Sequence, residues 1–285
     1  VDGSMQVSLE LINVIRANGG TVLNNSEATR IIVENEKVQG VIINGEERLE
    51  SDFVISNMHP QRTLEILDKN RSIKNAYISR IRSLENPYGI FTLYLVMKKK
   101  STPYQNRNLY LHANNKVWYD KLLYPGRTTN CMISMQASSE DSQYASVISI
   151  LTPMYIDELS AWKDTTPEHR GEDYQSFKKE KAEQILRFIR GHGIDLSENI
   201  EEMYDTTPLS YRDYTGTVDG SAYGIIKDYK CPQIGFVSTR SRLGNLFFTG
   251  QNLNVHGALG VTLTAMLTCA EFVGQEYLAK KVGNA

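Results

Sequence analysis

The sequence has 285 residues, enough for one large or two ordinary domains with a sizeable core. Its net charge of −2, with 22% charged residues, argues against a nucleic-acid partner and against charge-driven membrane binding. Apolar runs are too short for a transmembrane helix, and the N-terminus lacks the basic start and apolar core of a signal peptide. Three scattered cysteines favour a reducing compartment, so we expect a cytoplasmic protein.

The first sixty residues predict a helix followed by strands. Ser4 is a suitable N-cap for a helix that Gly19-Gly20 ends, and the helix carries an apolar face. That face contains Met5, Leu9, Ile12 and Ile15. β-Branched runs then predict strands at 21–23, 28–33, 38–43 and 53–56, with a charged turn at 34–37.

The middle of the chain is more aromatic and less regular. Alternation predicts strands over 88–97 and 146–154, and spacing predicts an amphipathic helix over 173–190. Most of the sixteen tyrosines lie in this section. Tyrosines can line a cavity for a long apolar substrate, but they are more often ordinary sheet and interface residues.

The residues from 245 to 273 carry the clearest functional signal. A short apolar run, 246–249, predicts a buried strand that Gly250 ends, and a helix follows. Gly257 and Gly260 at the helix start allow a backbone or ligand to approach closely. The helix is apolar nearly all round, so we expect it to be buried. Its free N–H groups and positive dipole end predict a site for an electron-rich group.

This stretch resembles the C-terminal flavin-binding segment of FAD-dependent oxidoreductases of the phytoene desaturase, carotenoid isomerase and retinol saturase family. In that family a strand ends in Thr-Gly or Ala-Gly, a polar residue follows (here Gln251), and a Gly-x-x-Gly helix start lies against the isoalloxazine. Two further stretches fit in the right order. Residues 51–57 resemble the family's Ala-Asp-x-Val-Val-x-Asn segment, and 206–224 resemble its Thr-Pro, Tyr and Gly-Ala-x-Tyr-Gly pattern.

The resemblance implies the site residues. It places FAD contacts at Ala28, Gly250, Gln251, His256, Gly257, Gly260 and Val261, with Ala28 at the adenine end and the others at the flavin ring. It places substrate contacts at Tyr223 and Gly224. His256 is equally well explained as a polar residue beside a turn. No nucleophile and base arrangement and no metal-ligand spacing occur, so we predict neither a catalytic side chain nor a metal ion.

The pyrophosphate-binding Gly-x-Gly-x-x-Gly motif is absent from the sequence. We therefore expect the C-terminal portion of a longer flavoprotein, whose partner is its own N-terminal FAD-binding portion. The predicted fold is α/β: a partial FAD/NAD(P)-binding, Rossmann-like domain that lacks its N-terminal βαβ unit. Residues 1–60 and 236–285 form this domain, and 61–235 form an inserted mixed-sheet α+β substrate domain. FAD should bind weakly or not at all to this chain alone.

The implied activity is hydride exchange between FAD and C–C bonds of an apolar polyene or isoprenoid-like substrate, and the fragment alone is expected to be inactive. Because such substrates reside in membranes, peripheral membrane association is a further expectation. Two alternatives stay open. One is a portion of an amine-oxidase-like flavoprotein, and the other is a non-catalytic binding or scaffold domain.

Overall fold

The computed structural model describes residues 5–115 and 126–283, and it shows a mixed α/β protein, as predicted. The chain forms two compact units. The first contains residues 1–26, 91–153 and 168–206, and the second contains residues 27–90, 154–167 and 207–285. The domain boundaries at 60 and 235 stay a prediction.

A five-stranded sheet and a long helix dominate the first unit. The sheet order is β6-β7-β8-β5-β9, with β5 Gly89–Met97, β6 Leu109–His112, β7 Asn130–Ala137, β8 Ala145–Met154 and β9 Ile200–Thr206. Burial alternates along much of β7 and β8 because strand side chains point to opposite faces, whereas the first five residues of β5 are all buried. The predictions of strands at 88–97 and 146–154 are confirmed to within one residue at each end.

Two helices of the first unit differ in their packing. Helix α4, Gly171–Gly191, buries Tyr174, Ile185 and Ile189, as its spacing predicts. Helix α1, Met5–Ala17, has no buried residue, and its apolar side chains are exposed. The strand expected at 21–23 is wrong, because those residues form no ladder. Of the tyrosines in the middle section, Tyr119 and Tyr124 lie outside the described residues.

The second unit begins with an antiparallel sheet of β1 Ala28–Glu34, β2 Lys37–Ile43 and β3 Glu47–Glu50. Asn35 and Glu36 adopt positive φ in the turn that joins β1 to β2, so the charged turn predicted at 34–37 is confirmed. Ile31, Val38 and Ile43 are buried. The adjacent Ile32 is buried as well, and because neighbouring side chains of a strand point to opposite faces, both faces of the sheet are covered at this point.

A separate pair of short strands carries the functional segment. β4, Val54–Ser56, and β10, Leu246–Phe248, run parallel and pair residue by residue. All three residues of β10 are buried. The pair brings together the two segments that sequence analysis assigned to one FAD-binding domain.

Asn245 connects this pair to the antiparallel sheet. Its side-chain amide donates to the backbone oxygens of Val38 (2.8 Å) and Asp52 (2.7 Å), and its Oδ1 accepts from the backbone N–H of Val38 (2.9 Å). One side chain therefore satisfies three backbone groups that lie far away along the chain. An amide suits this position because it both donates and accepts.

The remaining helices of the second unit are α2 Pro60–Glu65, α3 Asn75–Arg82, α5 Pro208–Thr215, α6 Gly257–Val273 and α7 Gln275–Gly283. Helix α5 explains the Thr-Pro pattern: Thr207 caps it through a bond from the N–H of Leu209, and Pro208 occupies its first turn. The unit's core combines side chains from the strands, α2, α3 and the segment 225–253. It consists of Ile31, Val38, Leu64, Ile73, Ile81, Leu84, Ile225, Val237, Leu243, Leu246, Phe248 and Leu253.

Replacing Asn245 with alanine should destabilise the chain by roughly 2–4 kcal/mol, because up to three backbone groups lose their partner. The free energy of unfolding from urea titration measures the effect. Asn24→Ala, at an exposed position, serves as the control. Equal stability of the two variants would show that Asn245 does not hold the strands together.

Candidate functional site

The candidate site begins where β10 ends. The N–H of Thr249 donates to the backbone oxygen of Ser56 (3.0 Å) and extends the parallel pairing by one bond. Gly250 then has φ +91°, and a Cβ there would lie 1.8 Å from Oδ1 of Asn57. A side chain is excluded both by conformation and by the Asn57 side chain. Gly250, which ends the Thr-Gly pair, and Asn57, which follows β4, are thus in direct contact.

A tight turn connects Gly250 to α6. Leu253 is fully buried in it, and its N–H faces the backbone oxygen of Gly250 at 3.4 Å. Asn252 is also buried, and its Oδ1, like that of Asn254, has no hydrogen-bond partner among the residues that the structure describes. Buried polar atoms without partners are uncommon in folded proteins. This turn therefore has acceptor capacity that the described protein groups do not use.

The two glycines of α6 differ in what surrounds them. His256 is the N-cap residue, and no side chain caps the helix start. Gly257 has φ +77° and open space where a Cβ would be. At Gly260, by contrast, a Cβ would lie 2.8 Å from the backbone carbon of Val255, so the chain itself occupies that space. Only Gly257 leaves the helix start accessible to a ligand.

The loop after α5 packs against this turn. Ser221 Oγ accepts from the N–H of Gly224 (3.0 Å) and donates to its oxygen (3.1 Å). Gly224 has φ +73°, and a Cβ there would lie 2.2 Å from Oδ1 of Asn252. Asn252 thus occupies the space beside Gly224, and a substrate contact at this glycine stays a prediction.

Aromatic rings border the start of α6. The rings of Tyr223 and His256 lie 5.0 Å apart, and those of Tyr88 and Tyr223 lie 6.4 Å apart in an edge-on arrangement. Burial raises the pKa of Tyr88, and the nearby Tyr223 and Tyr155 add to the shift. Tyr88 is therefore a neutral hydroxyl at physiological pH. The rings of Tyr223 and His256, both partly exposed, lie next to the helix start and are inclined to each other by 38°.

Lys227 supplies a cation beneath the turn. Its Nζ donates to the backbone oxygen of Asn252 (2.9 Å), and burial lowers its pKa to about 8. His59 lies in the same unit, with Nε2 2.9 Å from Oδ1 of Asn86. Burial lowers the pKa of His59, although the bond with Asn86 acts in the opposite direction. His59 is therefore neutral near pH 7.

The structure brings most of the predicted site residues together. Gly250, Gln251, His256, Gly257, Gly260 and Val261 follow one another from strand to helix, and Tyr223 contacts His256. Ala28 lies elsewhere, at the half-buried start of β1 opposite Ile43. Sequence reasoning missed Lys227, Tyr88 and Asn57 as neighbours of the turn. Asn57 belongs to the segment 51–57 that the sequence analysis singled out, but no local pattern marks Lys227 or Tyr88.

The prediction that α6 is buried is wrong for this chain. Its buried residues are Gly260, Thr264 and Thr268, and Thr268 Oγ1 donates to the backbone oxygen of Phe248 (3.0 Å). Leu259, Leu263 and Leu267 are exposed. The helix thus turns its small and hydroxyl-bearing side toward β10 and its bulky apolar side toward solvent.

Two classes of site receive no support from the described residues. No group of three or more His, Cys, Asp or Glu side chains within 5–115 and 126–283 could hold a metal ion. In the same ranges, no helix combines the length and the apolar character that crossing a bilayer requires.

Comparison with known proteins identifies relatives. No family model matches the chain. The all-trans-retinol 13,14-reductase of Danio rerio is 22% identical over 95% of this chain and 48% of its own length. The human all-trans-retinol 13,14-reductase is 20% identical over 99% of this chain and 50% of its own length. This chain is a distant homologue of the retinol saturases. The resemblance to the phytoene desaturase and retinol saturase family is thereby confirmed.

A solved structure agrees at the level of the fold. A crystal structure of an oxidoreductase from Methanosarcina mazei superimposes with a TM-score of 0.53 at 17% identity, over 90% of this chain and 51% of that chain. The chain spans about half the length of the curated relatives that it matches.

Gly250→Ala should destabilise the chain by roughly 2–4 kcal/mol, because alanine disfavours the positive φ and its methyl group overlaps Asn57. Gly45→Ala is a matched control, since Gly45 has a similar positive φ (+80°) with open space around it. Its cost should be about 1 kcal/mol. Urea unfolding of both variants measures the difference, and equal costs would contradict the packing described for Gly250.

Lys227 should make stability depend on pH above neutrality. Its folded pKa, about 8, lies below the ordinary 10.5, so between these values the unfolded chain binds more protons than the folded one. Stability therefore rises with pH across that window, relative to Lys227→Met. Urea unfolding from pH 7 to 10.5 tests this, with the exposed Lys179→Met as control. A constant difference between wild type and Lys227→Met would contradict it.

Proposed function

We propose that this chain is the C-terminal, flavin-contacting part of a flavin-dependent oxidoreductase that acts on C–C bonds of an apolar polyene or isoprenoid-like substrate. The carrying observation is the strand-to-helix segment 245–273. In it, a glycine-ended buried strand leads to an uncapped helix start with open space at Gly257. The homology to two all-trans-retinol 13,14-reductases over nearly the whole chain supports the class of reaction and of substrate.

The residues at the start of α6 fit one edge of a flavin ring. The first N–H groups of a helix have no partner within the helix, and the dipole places partial positive charge there. No side chain caps this end, and Gly257 leaves room for a planar group. FAD, when bound, would supply the hydride chemistry. The backbone N–H groups would stabilise the negative charge of its reduced form.

The surrounding side chains would orient the substrate and exclude water from it. Tyr223 and His256 present flat faces next to the helix start, and Tyr88 contacts Tyr223 from the other side. Such faces suit a conjugated, apolar substrate better than a charged one. Lys227 adds positive charge beneath the turn that carries Gln251. None of these residues forms a nucleophile and base pair, which agrees with a reaction in which the cofactor carries the electrons.

The remaining FAD contacts would come from an N-terminal portion of the same protein. The curated relatives contain about as much chain again as this sequence represents. A pyrophosphate group needs a glycine turn at a helix N-terminus, and the sequence offers none with the required spacing. Ala28, at the start of β1, is our candidate for the adenine end.

Flavin binding tests the proposal. The longer product that includes the upstream reading frame should purify with a stoichiometric flavin absorbance. The 285-residue chain alone should show little or no flavin and little change in melting temperature when FAD is added. A longer product that neither carries flavin nor is stabilised by FAD would favour the non-catalytic scaffold. A stoichiometric flavin band in the chain alone would refute its dependence on the N-terminal portion.

Two glycines at opposite ends of α6 make a matched pair for the site itself. Gly257 and Gly274 both have positive φ (+77° and +84°) and open space around them. Alanine at either position should destabilise the chain by roughly 1–3 kcal/mol, because both positive-φ conformations disfavour a residue with a Cβ. Only Gly257→Ala should weaken FAD binding in the longer product, by about tenfold or more, because its methyl group obstructs the helix start. Flavin titration by fluorescence measures the affinity, and equal affinities would exclude Gly257 from the site.

A further inference from the structure

The outer side of α6 is unusual for a helix in contact with water. From Gly257 to Ala270 it contains no charged residue. Leu259, Leu263 and Leu267 recur every fourth residue, so they form one row along the helix, and their side chains are 74%, 46% and 48% exposed. A helix that is apolar on all sides is normally buried on all sides.

The inner side of α6 is already fixed, so rotation cannot bury the leucine row. Thr264 Oγ1 donates to the backbone oxygen of Gly260 (3.0 Å), and Thr268 Oγ1 lies 3.0 Å from that of Phe248. Glu271 receives hydrogen bonds from Thr239 and Arg240 at the other end of the helix. The contacts of Thr268 and Glu271 with residues outside α6 would be lost if the leucines turned inward, whereas the Thr264 bond lies within the helix and would persist.

The strand beside α6 is also incompletely covered. Among the described residues, β4 and β10 form a two-stranded parallel sheet, and β10 also makes an antiparallel bridge from Phe247 to Arg240 at its other edge. Parallel sheets are normally covered on both faces and are larger than this. Phe53 directly precedes β4 and is 52% exposed, and Ile55 lies within β4 and is 50% exposed. Phe53 packs edge-on against Phe272 of α6, with ring centroids 5.4 Å apart, so the apolar surface continues from helix to strand.

We infer that the row Leu259, Leu263 and Leu267, together with Phe53 and Ile55, is the docking surface for the N-terminal, dinucleotide-binding half of the same flavoprotein. This deepens the proposed function and rests on it for the identity of the partner. We call these five residues the outer α6 surface. The N-terminal half would dock on this surface by apolar contact, and the docking does not require FAD.

The length of the relatives argues for this occupant. This chain accounts for 48% and 50% of the two curated relatives and 51% of the solved structure, while each match covers nine-tenths or more of this chain. Each comparison protein therefore has about half of its length outside this match. A half of that size can supply both the strands that would extend the β4–β10 pair and the cover for α6.

A membrane fits the outer α6 surface less well. Helices that lie on a membrane carry a charged face toward water and basic residues beside the apolar one. On α6 the threonines Thr264 and Thr268 are turned into the protein, and no basic residue occurs between Gly257 and Val273. A second copy of this chain is the other competing occupant, and the test below separates it.

Cysteine labelling reports whether the surface is covered. Cys269 is exposed on α6, whereas Cys131 is buried in β7 and Cys231 is intermediate. Mass spectrometry of peptides after maleimide labelling gives the rate at each cysteine separately. In the 285-residue chain alone, Cys269 should react fast. In the longer product, freed of flavin, Cys269 should react at least about tenfold more slowly, and hydrogen exchange along α6 should slow as well.

Charged substitution tests whether the outer α6 surface causes that protection. The double variant Leu263→Asp and Leu267→Asp should restore fast labelling of Cys269 in the longer product. It should lower the melting temperature of the 285-residue chain by no more than about a few degrees, because about half of each side chain is already exposed there. Leu23→Asp, at an exposed position of the first unit, is the control and should keep Cys269 protected.

The outcomes separate docking from flavin binding. Protection of Cys269 without flavin binding upholds the docking surface and contradicts the proposed function. Flavin binding with Cys269 still reactive upholds the proposed function and contradicts the docking surface. Protection in the chain alone, with a dimer by light scattering, identifies a second copy and overturns the inference. Protection of the chain alone only upon addition of phosphatidylcholine vesicles identifies a membrane and also overturns it.

Discussion

The second unit depends on the parallel pairing of β4 with β10, two strands of three residues each that come from distant parts of the chain. So short a pair has few ladder bonds of its own. Asn245 compensates by bonding to Asp52, 193 residues away, and to Val38 on the neighbouring sheet. Burial of Leu246, Phe247 and Phe248 adds the apolar contribution. The turn at Gly250 and the start of α6 follow directly after β10, so the position of β10 determines where both lie.

The site is built by exclusion of side chains more than by their addition. A Cβ at Gly250 would overlap Asn57, one at Gly224 would overlap Asn252, and one at Gly260 would overlap Val255. At Gly250 and Gly224 the space is taken by an asparagine side chain, and at Gly260 by the backbone of Val255. The contact of Gly224 with Asn252 brings the loop after α5 and the turn after β10 together. Gly257 is different, because nothing fills its space. The same residue type therefore serves packing at three positions and leaves one position open, at the helix end with free N–H groups.

Helix α6 shows that polarity alone does not decide which side of a helix faces inward. Thr264 and Thr268 are buried because their hydroxyls bond to backbone oxygens of α6 itself and of β10. Its leucines are left outside. A side chain that can pair its one polar group is as acceptable in a core as an apolar one, and a smaller residue permits closer approach of helix and strand. The arrangement makes sense for a helix that sits between two layers.

The sequence by itself determined the local structure: the turns at positive φ, the capped start of α5, the amphipathic α4, and the glycine-ended strand with its helix. These depend on neighbouring residues, whose spacing and turn chemistry are visible in the chain. It also carried the resemblance that the homology to retinol saturases confirmed. Only the tertiary structure decided that β4 pairs with β10, that Lys227 lies near the turn and Tyr88 near Tyr223, and that α6 buries Thr264 and Thr268. An apolar helix has no direction encoded in its periodicity, and contacts between residues far apart along the chain leave no local pattern.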